Sequence, residues 1–192
     1  MWYVTRVRLR RKSATLELCE DFVSAGAMRE CFAPEYEVMW HTRGQWKPVR
    51  QLLFPGYLFF VTDDVELLAD ELRDVPAPTR LLGDDENSFS PVTDSEHNWL
   101  FAFFDSEHVV RMSEGVIEGD VVKVTRGPLM GMEGQIRKID RHKRRAYLDV
   151  SLFGRTVPTN VGLEIVRKTT AGGTREAAGQ LLGGGHEHVR GL

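Results

Sequence analysis

Only two cysteines, Cys19 and Cys31, occur in the 192 residues, and they form no metal-spaced cluster. Without a disulfide framework, free thiols in a reducing cytoplasm are the expectation. No apolar run approaches the roughly 18 residues of a membrane span, and the N-terminus lacks the apolar core of a signal peptide. A cytoplasmic protein with no membrane partner is therefore expected. The chain also lacks a Walker loop and a dinucleotide fingerprint. Its six histidines are scattered, and no nucleophile with a base or pair of carboxylates stands out. These absences argue against an enzyme, and predict no catalytic residue, cofactor or metal site. His186-Glu187-His188 could catch a metal, but three residues do not make a site.

What is present is ordinary in amount and uneven in placement. Apolar residues make up 42% and charged residues 28%, as in a typical globular domain. The net charge of −3 conceals segregation. From Thr62 to Glu96 there are eleven Asp/Glu against two Lys/Arg, whereas Gly119 to Lys168 holds eleven Lys/Arg against five Asp/Glu. Arg6, Arg8, Arg10, Arg11 and Lys12 add a basic N-terminal stretch. An acidic middle and a basic end point to nucleic acid on one part and a basic protein surface on another.

The most apolar run, Gln51 to Val61, reads as a central strand buried on both sides, with Pro55-Gly56 near its beginning suited to an edge or bulge. Phe54 and Tyr57 are placed at a rim where aromatics can leave the core. Trp2 to Val7 alternates as a strand, and residues from about Ser13 to Gly26 read as a helix with Leu18 and Phe22 one turn apart. Phe32 to Trp40 is a second strand, and the turn at His41-Thr42-Arg43-Gly44-Gln45 predicts a hairpin with a basic tip. Val65, Leu68 and Leu72 give a short helix ended by Pro76 and Pro78. Arg80 to Gly83 is a candidate edge strand. Thr93 to Glu96 is a capping box that starts a helix running to about Phe104. This order predicts an α+β fold whose first unit, residues 1–105, is a ferredoxin-like α/β sandwich.

Residues 106–118 read as a linker. Residues 119–168 then show four short strands separated by glycine-bearing turns, which predicts a small all-β barrel. From 169 to 192 the chain is Gly-rich and expected to be disordered.

Val124-Thr125-Arg126-Gly127-Pro128-Leu129-Met130-Gly131-Met132-Glu133-Gly134 resembles the KOW motif. Together with Trp2-Tyr3-Val4, Phe54-Pro55-Gly56-Tyr57 and Ser151-Leu152-Phe153-Gly154-Arg155, it resembles the NusG family of transcription elongation factors over nearly all of residues 1–168. The resemblance implies a NusG N-terminal (NGN) domain that sits on the clamp helices of RNA polymerase through a patch here matched by Phe54, Pro55, Gly56 and Tyr57. It implies a KOW domain whose turn, here Leu152, Phe153 and Arg155, contacts a ribosomal protein or the termination factor Rho. The turn from Ile139 to Arg145 departs from the general factor by being strongly basic. There the chain resembles specialised paralogues of the LoaP type, antiterminators that promote readthrough and read a nascent RNA hairpin.

The chemistry of that turn supports RNA binding independently. Arg141, Lys143, Arg144 and Arg145 lie within five residues, with Arg137, Lys138 and His142 alongside. Cations on one projection neutralise phosphates and release counterions, and a stackable His142 suits unpaired bases. A KOW-type ribosomal RNA-binding or ribosome assembly protein is the alternative reading; it accounts for the barrel and leaves Phe54 to Tyr57 unexplained.

Overall fold

The structure, a computed structural model, describes residues 1–8, 12–77, 79–83 and 88–169. The expectations placed on Pro78 and on the Gly-rich tail from residue 170 lie outside those residues. Among the described residues the fold is α+β: an N-terminal unit carrying three α-helices, here called the NGN unit after the resemblance above, followed by an all-β unit, likewise called the KOW unit.

Strands β1 (Trp2–Arg6), β5 (Tyr57–Val61) and β2 (Glu30–Phe32) form an antiparallel sheet with β5 in the centre. Successive side chains of a strand point to opposite faces, so an apolar run serves two cores at once. Leu58 and Phe60 pack with Tyr3 against Cys19 and Val23 of α1 (Lys12–Phe22) and Leu68 and Leu72 of α2 (Val65–Leu72). Phe59 points the other way, into a cluster with Trp2, Phe32, and Leu100 and Phe103 of α3 (Asp94–Phe103). The outer edge of β1 is covered: Leu82 N–H donates to Val4 O and Val92 N–H to Trp2 O. Arg80 to Gly83 was expected as a strand; among the described residues it contributes one bridge, Thr5 to Leu81.

Three further expectations are corrected. The run from Gln51 to Val61 is two strands, because Leu53 to Gly56 turns the chain from one sheet into another. β4 (Gln45–Leu52) pairs with β3 (Glu35–Thr42) in a second sheet completed by β6 (Val109–Val110). Gly56 supplies the corner, at φ +88°. The strand predicted over Phe32 to Trp40 is likewise split, at residues 33–34, between the two sheets. Phe22, expected in the core, is 51% exposed, and Cys19 and Val23 bury α1 instead. The predicted β3–β4 hairpin does form. Arg43 and Gly44 make its two-residue loop with φ of 49° and 76°, the left-handed pair that matches strand twist.

The KOW unit is a five-stranded sheet in the order β8 (Val121–Arg126), β7 (Ser113–Glu118), β11 (Arg155–Thr169), β10 (Arg145–Leu152), β9 (Ile136–Asp140). It wraps around Val124, Leu129, Leu148, Val150 and Leu163. The long β11 pairs antiparallel with β10 through its first half and parallel with β7 through its second. The stretch 106–118, expected as a linker, is itself structured: β6 extends the second NGN sheet and β7 belongs to the barrel. Arg111 fixes this passage, donating to Glu37 (2.7 Å), Asp105 and Glu107 (2.9 Å). Arg50 holds the same Glu107 at 2.7 Å.

The barrel is docked on the NGN unit, and one apolar cluster runs through both. Gly162 of β11 comes so close to β3 that a Cβ there would lie 2.4 Å from Glu37 O and 2.0 Å from Met112 Sδ. No side chain fits.

Candidate functional site

The segment Phe54-Pro55-Gly56-Tyr57 is the hinge between the two NGN sheets, and its aromatics have separate fates. Phe54 is 1% exposed and packs near Phe59, so its expected exit from the core does not occur. The turn that precedes β5 points it inward, and an interior with 0% exposed Phe59 and Phe60 takes it up. Tyr57, at the start of β5, is half-buried, with the Arg6 guanidinium 6.0 Å from its ring centre.

What half-covers Tyr57 is Phe153. Its ring centre lies 5.7 Å from that of Tyr57 and 6.1 Å from that of Phe59. Phe153 and Gly154 form the two-residue β10–β11 loop, with φ of 56° and 67°. A phenylalanine in the left-handed region is strained, and surrounding contacts must hold it there. Glu96 supplies one: its Oε1 accepts the Phe153 N–H at 2.6 Å, while Oε2 accepts the Thr93 N–H at 2.9 Å in the capping box of α3. Leu152 is buried and Arg155 exposed. The two protein-binding segments expected from the sequence are thus brought face to face, each covering the other.

The seven basic-turn residues do not share one projection. Arg137 and Lys138 lie on β9; Arg137 pairs with Asp149 at 2.7 Å and Lys138 sits 5.9 Å from the Tyr147 ring centre. Arg141, His142 and Lys143 form the exposed tip. Asp140 closes the turn by accepting the Lys143 N–H at 2.9 Å. That backbone hydrogen bond holds its carboxyl below the usual range, so an anion persists at the root of the cationic tip.

Arg144 and Arg145 instead face the NGN unit. The Arg144 guanidinium lies 4.4 Å from the ring centre of Trp46 on the β3–β4 hairpin and pairs with Glu164 at 3.1 Å. Arg145 donates to Asn160 Oδ1 at 3.3 Å and Gln51 Oε1 at 3.5 Å, and its buried Nε has no partner among the described residues. Tyr36 Oη lies 2.7 Å from Gln51 Oε1 and 2.9 Å from Asn160 Oδ1. Burial pushes the Tyr36 hydroxyl's pKa up, so it remains a proton donor to this network. Trp46, Gln51, Glu96, Asn160 and Gly162 were not singled out as interface residues in the sequence. A polar residue whose partner lies a hundred positions away leaves no local pattern.

Comparison with known proteins decides the family. Residues 1–101 match the family model described as "Transcription termination factor nusG", and residues 118–149 match the KOW motif. The chain belongs to the NusG family. Among its relatives is the "Transcription termination/antitermination protein NusG" of Vibrio parahaemolyticus, 24% identical over 177 residues, covering 87% of this chain and 94% of that protein. The protein of the same description from Helicobacter pylori is 23% identical over 158 residues, covering 82% and 89%. A solved structure titled "Domain interaction in Thermotoga maritima NusG" aligns at 21% identity and a TM-score of 0.45, over 84% and 92% of the two chains. For this NusG-family chain, then, the sequence resemblance is established at the level of the family and its two domains. No helix among the described residues is long and apolar enough to cross a membrane.

Proposed function

We propose that this chain is an RNA polymerase-binding elongation factor that promotes readthrough, recruited by a nascent RNA hairpin in the manner of LoaP-type antiterminators. The observation that carries this reading is the exposed Arg141-His142-Lys143 tip on the barrel of a NusG-family chain: among the described residues its side chains have no ion pair. Three adjacent exposed groups, cationic or stackable, suit phosphates and unpaired bases. The polymerase-binding surface in this proposal is Tyr57 with Pro55 and Gly56, while Phe54 supports it from beneath.

Phe153 covers Tyr57 in the docked arrangement, so polymerase engages that face once the barrel has moved away. The same separation uncovers Phe153, beside Leu152 and the already exposed Arg155, for a ribosomal protein or Rho.

The test is transcription in vitro with purified polymerase on a template whose leader encodes a hairpin ahead of a terminator. Readthrough should rise when the protein is added and the hairpin is present. Replacing Arg141 and Lys143 by Ala should abolish the dependence on the hairpin. Readthrough unaffected by the protein on every leader that cells lacking it transcribe poorly would reject the proposal.

A further inference from the structure

On the KOW unit, β8 and β9 are the two edges of the five-stranded sheet. No ladder joins them among the described residues. Between them lies an open groove of about 830 Å³. That is within the roughly 300–1,000 Å³ of sites that take small ligands. Its apolar wall is Ile117, Val122, Ile136 and Ile139, all only partly buried. Ile117 stands opposite Val122 on one side and Lys168 on the other, so this row of side chains shares a face of the sheet.

The groove's polar groups sort by whether they are already engaged. Glu133 accepts the Val124 N–H at 3.0 Å, and Asp140 accepts the Lys143 N–H. Arg137 is held by Asp149. Arg141, His142 and Lys168 line the groove with no ion pair among the described residues, and Asp120 is the one acid there with no hydrogen bond or ion pair among them. Apolar surface flanked by the Arg141 and Lys168 side chains matches a ligand with a flat apolar face and an attached anion.

We infer that this groove takes an unpaired nucleotide of the RNA, with its base against Ile136 and Ile139 and its phosphate toward Arg141 and Lys168. The inference rests on the RNA reading above and adds to it. The tip contacts the backbone of any RNA, whereas the groove admits only a base that has left its stack, so it selects hairpins for their loops. A fully paired duplex cannot present a base face there. An acidic peptide lying along the β8 or β9 edge is the competing occupant; the nucleotide is favoured because it carries a flat apolar face and an anion in one unit, matching the isoleucine wall and the Arg141 and Lys168 side chains.

The experiment measures affinity of the full chain for three RNAs at one salt concentration. These are a hairpin with a uridine loop, the same hairpin with abasic loop sites, and a blunt duplex of the same stem. Covering roughly 50 Å² of base surface against the isoleucines contributes a factor of about ten. The looped hairpin should therefore bind about tenfold tighter than the other two. Ile139→Thr, which keeps a β-branched strand residue, should erase that difference without weakening the duplex. Val121→Ser, at a rim position that is 68% exposed, repeats the test without disturbing the packed wall. Equal binding of all three RNAs, with folded variants like the parent, overturns the groove while the RNA reading stands. Absence of binding to any RNA removes both. Displacement of the hairpin by a glutamate-rich peptide, with abasic sites having no effect, assigns the groove to a peptide and overturns the nucleotide.

Discussion

Phe54 and Tyr57 stand three residues apart and hold opposite positions, one sealed in the core and one at the seam between the two units. Truncating Phe54 should behave as a core deletion: Phe54→Ala should cost about 3–5 kcal/mol of stability in a denaturant titration. Tyr57→Ala loses a half-exposed ring and its contact with Phe153, and should cost less in stability than it changes in polymerase binding. Equal losses of stability for the two would contradict their different burial. Arg111 gives a second residue-level prediction. Burial pushes the Asp105 carboxyl up, but the Val109 N–H and Arg111 outweigh it and its pKa is lowered. Hydrogen bonds from Arg50 and Arg111 lower that of Glu107. Lowered carboxylates bind fewer protons folded than unfolded, so their stabilisation is complete above the unfolded value of about 4 and is lost as pH falls below it. The melting temperature should be insensitive to the clasp's titration near neutrality and should drop on acidification. Arg111→Ala should lower it at pH 7 and flatten the acid limb.

At the scale of elements, the basic turn divides its labour. The exposed tip is the part that meets RNA in the proposed function, while Arg144 and Arg145 hold the β3–β4 hairpin and β11 together. Each phosphate contact contributes roughly 0.7–0.9 to the slope of log K against log salt. Replacing Arg141 and Lys143 by Ala should therefore flatten that slope by about 1.5. Arg144→Ala removes a stack on Trp46 with a contribution of about 0.5–1 kcal/mol, and its signature should be a change in Trp46 fluorescence before any RNA is added. A slope unchanged in the tip variant would reduce the tip to a solvated face.

For the whole molecule, the seam is a mixed surface: an aromatic contact at Phe153, a polar network at Tyr36, Gln51, Arg145 and Asn160, and a backbone approach at Gly162. The buried Arg145 Nε without a partner opposes docking, since an unsatisfied buried donor carries a desolvation cost. Gly162 offers a clean way to separate the units. Its φ is not among the positive ones, so β11 tolerates a side chain there, but the NGN unit does not. Gly162→Val should leave the barrel folded and release it. Expected readouts are a larger radius by small-angle scattering, altered Trp46 emission, and tighter polymerase binding through the uncovered Tyr57. A variant as compact as the parent, with emission and polymerase binding unchanged, would show that the seam does not depend on this approach.

The sequence by itself determined most of the elements and both units. Local chemistry is decisive for the capping box at Thr93 and Glu96, for the Arg43-Gly44 hairpin loop, and for a β5 whose unbroken apolar run requires two buried faces. The KOW pattern with Phe54 to Tyr57 was enough to indicate the family. Tertiary structure alone decided where the aromatic and basic side chains face. Periodicity marks Phe54 and Tyr57 as equally apolar, but only the corner at Gly56 and the approach of Phe153 bury one and half-cover the other. Charge count treats Arg141 and Arg144 alike, yet Trp46, nearly a hundred residues earlier, takes up Arg144. Glu96 is legible as a helix cap from three residues' spacing, whereas its bond to Phe153 depends on contact across 57 positions. Those facts arise where the two units meet, and sequence spacing does not encode a meeting between distant segments.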